Sequence, residues 1–219
     1  MRKALIVLVI LLVPSIFFLW IRSGKNQYKP LEYYGPKTPV EKIVDGKTII
    51  DTVYHSVGGF SLLDADSNIV TEAITNDKIV VADFFFTTCK TICPKMSAQL
   101  MRVQNAFKND SNVVILSYTV DPENDRPAVL KSYAQEHNAI PGKWYFLTGE
   151  KNALYDLARQ SYFVTAMEGD HITDDFIHSE QVILVDPQKH IRGVYDGTEY
   201  TEVNKLIEDV KVLLKFEHP

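Results

Sequence analysis

The chain has 219 residues, 46% of them hydrophobic, and its 28 acidic side chains against 23 lysines and arginines give a formal net charge of −5. With no basic cluster beyond the flanks of its first apolar segment, it is not expected to bind nucleic acid. The remainder of the chain is long enough for one domain with a full core and short for two.

Ala4 to Ile21 is a run of eighteen uncharged residues interrupted only by Pro14 and Ser15. A bilayer span takes ~20 apolar residues, with ~17 near the lower limit. The run ends in Ile16-Phe17-Phe18-Leu19-Trp20-Ile21, which offers no small-residue cleavage site, and no cysteine comes after it for a lipid anchor. Residues 1–21 are therefore expected to be an uncleaved signal anchor. Arg2 and Lys3 precede the span while Arg22, Lys25 and Lys29 come after it, so flanking charge does not orient it. The size and thiol chemistry of the C-terminal portion favour export, and no Arg-rich amphipathic targeting segment comes first. The expected place is a bacterial inner membrane, crossed once, with the soluble domain in the periplasm.

Residues 22 to about 40 carry Pro30, Pro36 and Pro39 among polar and aromatic residues and are expected to form a tether. Asp45-Gly46 between Ile43-Val44 and Ile49-Ile50 signals a hairpin, so residues 22–56 are assigned to tether and N-terminal hairpin. Residues 57–219 form the main domain. It opens with a second hairpin, Phe60 to Leu63 and Ile69 to Thr71. A strand is expected over Ile79 to Phe86, then a helix from Pro94 to about Asn109 and an apolar strand over Val113 to Val120. Next come a helix over Pro127 to His137, a strand over Trp144 to Leu147 and a helix over Glu150 to Gln160. Gln181 to Val185 and Ile191 to Tyr195 form a hairpin about Asp186-Pro187. A last helix begins near Thr201, with Val203, Leu206, Ile207, Val210, Leu213 and Leu214 on one stripe. Alternating strands and helices make crossover units with a mainly parallel centre. The fold class is α/β, and the order of elements is thioredoxin-like.

The only two cysteines, Cys89 and Cys93, stand between the strand ending in Phe84-Phe85-Phe86 and the helix whose first turn holds Pro94. Amides and the dipole at a helix N-terminus favour thiolate, and a helical turn would put residues i and i+4 on one face. A structural disulfide closing so short a loop gains little, and a zinc site normally wants four protein ligands. A redox pair or a copper site remains the better reading. Of the six histidines, His178 directly precedes the strand Gln181 to Val185, and in a thioredoxin-like sheet the loop entering that strand lies beside the cysteine turn. By spacing alone His171 and His55 rival it. Asp83 could tune the thiols or serve as a hydrogen-bonded structural carboxylate. Asp121 and Asp125 are candidates to lie near the site, although Asp125 is equally well explained as a helix cap ahead of Pro127, the favoured use.

Three segments together resemble the Sco/SenC family of copper chaperones for cytochrome oxidase. They are Asp83-Phe84-Phe85-Phe86-Thr87-Thr88-Cys89 through Cys93-Pro94-Lys95-Met96, Val120-Asp121-Pro122-Glu123-Asn124-Asp125-Arg126-Pro127, and Ile177-His178-Ser179. Lys90 stands where the family often has proline. The resemblance implies copper held by Cys89, Cys93 and His178, as Cu(I) with Cu(II) left open. It also implies a metallochaperone rather than an enzyme, serving the binuclear copper subunit of cytochrome c oxidase. A disulfide between Cys89 and Cys93 would block Cu(I), so a thioredoxin-like reductant is expected as a second partner. The rival reading is a thiol–disulfide oxidoreductase acting on exported proteins. CxxxC, one residue longer than the usual CxxC of such enzymes, weighs against it.

Overall fold

The computed structural model describes residues 12–18, 30–44, 46–164 and 179–217. The chain divides into two units, Met1–Pro30 and Leu31–Pro219. In the first, residues 12–18 are helical with exposed Leu12, Val13, Ile16, Phe17 and Phe18, and the rest of the expected span lies outside the described residues. Among the described residues, no helix is long and apolar enough to cross a membrane.

The second unit begins with a two-stranded antiparallel sheet, β1 (Lys37–Val44) and β2 (Lys47–Tyr54), paired from Lys37↔Tyr54 to Val44↔Lys47. Gly46 sits in its turn at a φ of +74°, a conformation glycine reaches without strain. The ladder is longer than the sequence pattern suggested, because lysines and threonines between the apolar positions pair as readily as they do. Its side chains are almost all exposed, among them Ile43 and Ile50.

The main sheet has seven strands in the order β4-β3-β7-β6-β5-β8-β9. These are β3 (Ser61–Asp64), β4 (Ile69–Thr71), β5 (Ile79–Phe85), β6 (Val113–Thr119), β7 (Trp144–Thr148), β8 (Gln181–Val185) and β9 (Ile191–Asp196). β5, β6 and β7 run parallel, while β8 and β9 continue the sheet antiparallel from β5. Every residue of β5 and β6 is buried, as expected for central strands covered on both faces. One face carries helices α1 (Cys93–Ala106), α2 (Pro127–Glu136) and α4 (Tyr200–Glu217). Met96, Leu100, Val103, Leu130, Val203, Leu206 and Val210 pack there on Ile79, Val81 and Phe85. The opposite face is covered by α3 (Lys151–Asp156), which runs into a π turn over Leu157–Ser161. The β5–α1–β6 crossover, the β8–β9 hairpin and α4 form the expected thioredoxin-like arrangement.

The expected tether ends earlier than its composition suggested, because the chain is tied down from Leu31. The Tyr34 N–H donates to the Ile191 carbonyl at 2.9 Å. Arg192 is buried and donates to the Leu31 carbonyl at 2.7 Å and to Asp186 at 2.9 Å, with its guanidinium 4.1 Å from the Tyr33 ring centroid. The Asp186 side chain is fully buried. Removing one partner of such a pair costs roughly 3–5 kcal/mol, because the other charge stays behind. Arg192→Ala is therefore expected to lower stability by about that amount in urea unfolding. It should also speed hydrogen exchange at residues 31–36, and unchanged exchange there would show that the segment is held by other contacts.

Candidate metal and redox site

β5 ends at Phe85 and α1 begins at Cys93; the backbone between them is turn and bend. Both cysteines lie at the expected junction of strand and helix, but Cys89 stands ahead of the helix and Cys93 is its first residue, so they do not share a helical turn. The Cys89 N–H donates to the Phe86 carbonyl at 3.2 Å, closing a tight turn with Thr87 and Thr88 at its corners. The turn brings Cys89 back over the mouth of α1, where the Cys93 N–H donates to Cys89 Sγ at 3.4 Å. The Ile92 cap makes no side-chain cap bond, so this sulfur meets a first-turn amide that a capping oxygen would otherwise meet. Pro94 occupies the first turn, where its missing N–H costs nothing.

The two thiols differ. Burial pushes the half-exposed Cys89 thiol up. Hydrogen bonds from the Cys93 thiol and from the N–H groups of Cys93, Thr91 and Ile92 outweigh that, and its pKa falls below the usual thiol value. Cys93 is only 2% exposed, and burial raises its pKa far above the ordinary range. Its hydrogen bond to Cys89 and the charges of Cys89 and Asp83 add to that rise. The helix N-terminus was expected to favour thiolate at both positions. It does so only at Cys89, because Cys93, the first residue of α1, turns its side chain into the core.

Asp83 is buried in β5 opposite Ser117, whose hydroxyl donates to it and in turn accepts from Trp144 Nε1 at 2.8 Å. Burial raises its carboxyl pKa to about 7, against the lowering effect of Ser117. Asp121 is buried in the loop after β6. Its carboxylate accepts from Asn124 Nδ2 at 2.8 Å, and its carbonyl accepts the Asp125 N–H at 2.8 Å. It shapes this loop.

Asp125 is not the helix cap that its position before Pro127 suggested. Arg126 takes that place, without a side-chain cap bond. The fully buried Asp125 carboxylate instead reaches the cysteine turn and accepts the Thr87 N–H at 3.1 Å as well as the Thr87 and Thr119 hydroxyls. Sequence spacing gave no sign of this contact. The one available signal was the place of the loop at the carboxyl end of a parallel strand, where α/β folds build their sites.

Three histidines have other roles. His55 Nε2 lies 2.8 Å from the Ser161 carbonyl, and its ring packs on Phe163. His137 packs against Tyr133, and burial lowers its pKa. His190 lies beside Asp186 in the β8–β9 turn, with Nδ1 3.4 Å from the carboxylate. His171, His178 and His218 lie outside the described residues. Among the described residues no group of three or more His, Cys, Asp or Glu is placed to hold a metal ion.

The thiol asymmetry predicts the order of alkylation. In the reduced protein iodoacetamide is expected to modify Cys89 first, with a rate that titrates below the ordinary thiol value, while Cys93 stays protected until the protein unfolds. Asp83→Asn should leave Cys89 first and lower Cys93 only slightly, burial being the larger cause. Mass spectrometry of partly alkylated protein reads both, and equal rates at the two positions would contradict the asymmetry.

The chain matches the SCO1/SenC family model over residues 51–215. It is 34% identical over 170 residues to a SCO1 protein homolog of Bacillus subtilis (strain 168), covering 76% of this chain and 86% of that one. It is similar to the solved structure of BsSco, described as a member of the Sco family of cytochrome c oxidase assembly proteins in which a disulfide switch was identified. That likeness has 32% identity and a TM-score of 0.62, covering 73% of this chain and 93% of the other. It is also similar to Arabidopsis thaliana ScoI with copper bound, at 29% identity and a TM-score of 0.58 over 72% of this chain and 98% of that one.

Proposed function

The chain belongs to the SCO1/SenC family, and from that membership we propose that it is a copper chaperone delivering the ion to, or preparing the thiols of, the binuclear copper site of cytochrome c oxidase. The observation that carries this reading is the meeting of two thiols in one turn, Cys93 N–H to Cys89 Sγ at 3.4 Å, at the carboxyl end of a parallel strand. Similarity to a ScoI structure with copper bound supports it. Cys89 and Cys93 supply two thiolates, a soft pair suited to Cu(I), and His178 adds a neutral third donor. Topology favours His178 over its rivals. β8 starts at Gln181, three residues after it, and Val182 pairs with Asp83, so the beginning of β8 lies beside the end of β5 that leads to Cys89. His55 is already committed to the Ser161 carbonyl.

Loading the site displaces the Cys93 proton, so uptake releases protons and weakens as pH falls. Asp83 and Asp121 support the site from behind, Asp83 through its charge and Asp121 through its loop. Anaerobic titration of the full chain is expected to show one equivalent of Cu(I) held tightly by the wild type and lost or weakened in Cys89→Ser, Cys93→Ser and His178→Ala. Full Cu(I) affinity and full oxidase assembly in His178→Ala would remove that residue from the site.

A second reading, thiol–disulfide exchange on exported proteins, draws on the split between a half-exposed Cys89 with a lowered pKa and a buried Cys93, the pattern of an attacking and a resolving thiol. The disulfide switch described for BsSco fits it. A redox role needs both cysteines and has little use for His178, so the same variants separate the two readings. Either way a thioredoxin-like dithiol partner keeps the pair reduced before loading.

The domain is held at a bacterial inner membrane by residues 4–21 and faces the periplasm. The full chain is expected to stay with membranes after alkaline carbonate extraction, and release by salt alone would overturn the anchor.

A further inference from the structure

β5 and β6 pair up to Phe85↔Thr119, and the Val120 N–H still donates to the Phe85 carbonyl at 2.9 Å. Past that rung the strands part and the next amides need other partners. Thr87 is the first corner of the turn closed by the Cys89 N–H on the Phe86 carbonyl. Its N–H lies 3.3 and 3.1 Å from the two Asp125 oxygens, and its hydroxyl donates to the same carboxylate. The carboxylate also takes the Thr119 hydroxyl, so it joins the last residue of β6 to the corner of the cysteine turn. Asp125 itself is fixed, because its N–H closes the loop onto the Asp121 carbonyl at 2.8 Å.

We propose that Asp125 is the positioning residue of the dithiol site: through Thr87 it clamps the Phe86–Cys89 turn against the end of β6, and so holds Cys89 Sγ over the Cys93 N–H. The role rests on the reading of Cys89 and Cys93 as the working pair, and it serves copper binding and disulfide formation alike. The clamp acts through geometry. A buried carboxylate is held by the hydrogen bonds it receives, and here Thr87 gives it two of them. With the clamp released, the turn keeps its sequence but not its place, and the local concentration of one thiol at the other falls.

The test compares Thr87→Val, Asp125→Asn, Thr87→Ser and Gln104→Ala in the full chain without copper. Each variant is equilibrated with oxidised and reduced glutathione. Formation of the Cys89–Cys93 disulfide passes two electrons and two protons from the thiols to one glutathione disulfide, giving two glutathione thiols. The equilibrium constant for that exchange is the readout, with the melting temperature measured alongside. Thr87→Val and Asp125→Asn are expected to lower the constant about tenfold, and Thr87→Ser to restore it. Gln104→Ala removes two hydrogen bonds near the far end of α1, one to the Asn138 carbonyl and one from the Ile140 N–H, without touching the turn, so it should lower the melting temperature and leave the constant within about twofold. If Thr87→Val and Asp125→Asn shift the constant no more than Gln104→Ala does, the clamp is only structural and the proposal fails. A shift in Asp125→Asn alone also overturns it, since charge and not placement would then be acting. Should Asp125→Asn not fold, the two Thr87 variants decide. Because copper is absent throughout, failure of the metal reading would appear in the titration and leave this result standing.

Discussion

The pairing of β5 with β6 stops at Phe85 and Thr119, and the site is made from what the chain must do at that stop. Inside the pair every position is buried, and a strand covered on both faces leaves no room for a loose polar group. At the end, the backbone leaves the sheet and enters a helix within a few residues, so several donors lose their partners together. Asp125 takes the donors of Thr87, and Cys89 Sγ takes the first amide of α1. The Cys89 sulfur is thus also part of the local hydrogen bonding, which explains why a half-exposed thiol has a settled position.

That arrangement makes two chemically different thiols four residues apart. Cys89 receives amides and is half open to solvent; Cys93 begins the helix and is buried among the side chains that anchor α1 on the sheet. The first is shifted toward the thiolate, while burial favours the proton on the second until something replaces it. Under the proposed copper reading the metal is that replacement, and under the exchange reading it is the other sulfur. The same geometry serves both, so the third donor, and not the thiol pair, separates them.

Much of this was legible in the sequence, for identifiable reasons. The turn Phe86 to Cys93, the strands on either side of it and the stripe along α4 follow from apolar period and from Pro94, all local signals. The extra length of the β1–β2 ladder was missed because its lysines and threonines hide an exposed ladder from any hydrophobic pattern. The packing of residues 31–36 was missed because it depends on Arg192, some 160 residues away in sequence. Asp125 was misassigned for a related reason. An aspartate two residues before Pro127 has a ready local use as a cap, and only the adjacency of β5 and β6 gives it the more demanding use on Thr87. The difference between the two thiols was likewise invisible, since spacing shows that two residues can meet but not which one faces the core.

Asp83 shows what such a core costs. A carboxyl raised to about 7 by burial binds its proton more tightly in the folded chain than in the unfolded one. The folded state is therefore favoured by this group at acid pH, and that contribution is lost as pH rises from the ordinary carboxyl value through about 7. Above that range the fold carries a buried negative charge close enough to Cys93 to oppose its ionisation. An apolar residue in β5 would avoid the cost, and Ser117 and Trp144 only partly offset it. What Asp83 contributes, once ionised, is a small push in the same direction as burial, which is the main reason the inner thiol resists ionisation. Burial of Cys93 already disfavours two adjacent thiolates over one helix end, where they would repel each other. On the proposed readings the Cys93 proton is given up when a cation binds the sulfur, or when that sulfur attacks a mixed disulfide at Cys89 and the partner's thiolate leaves with the electron pair.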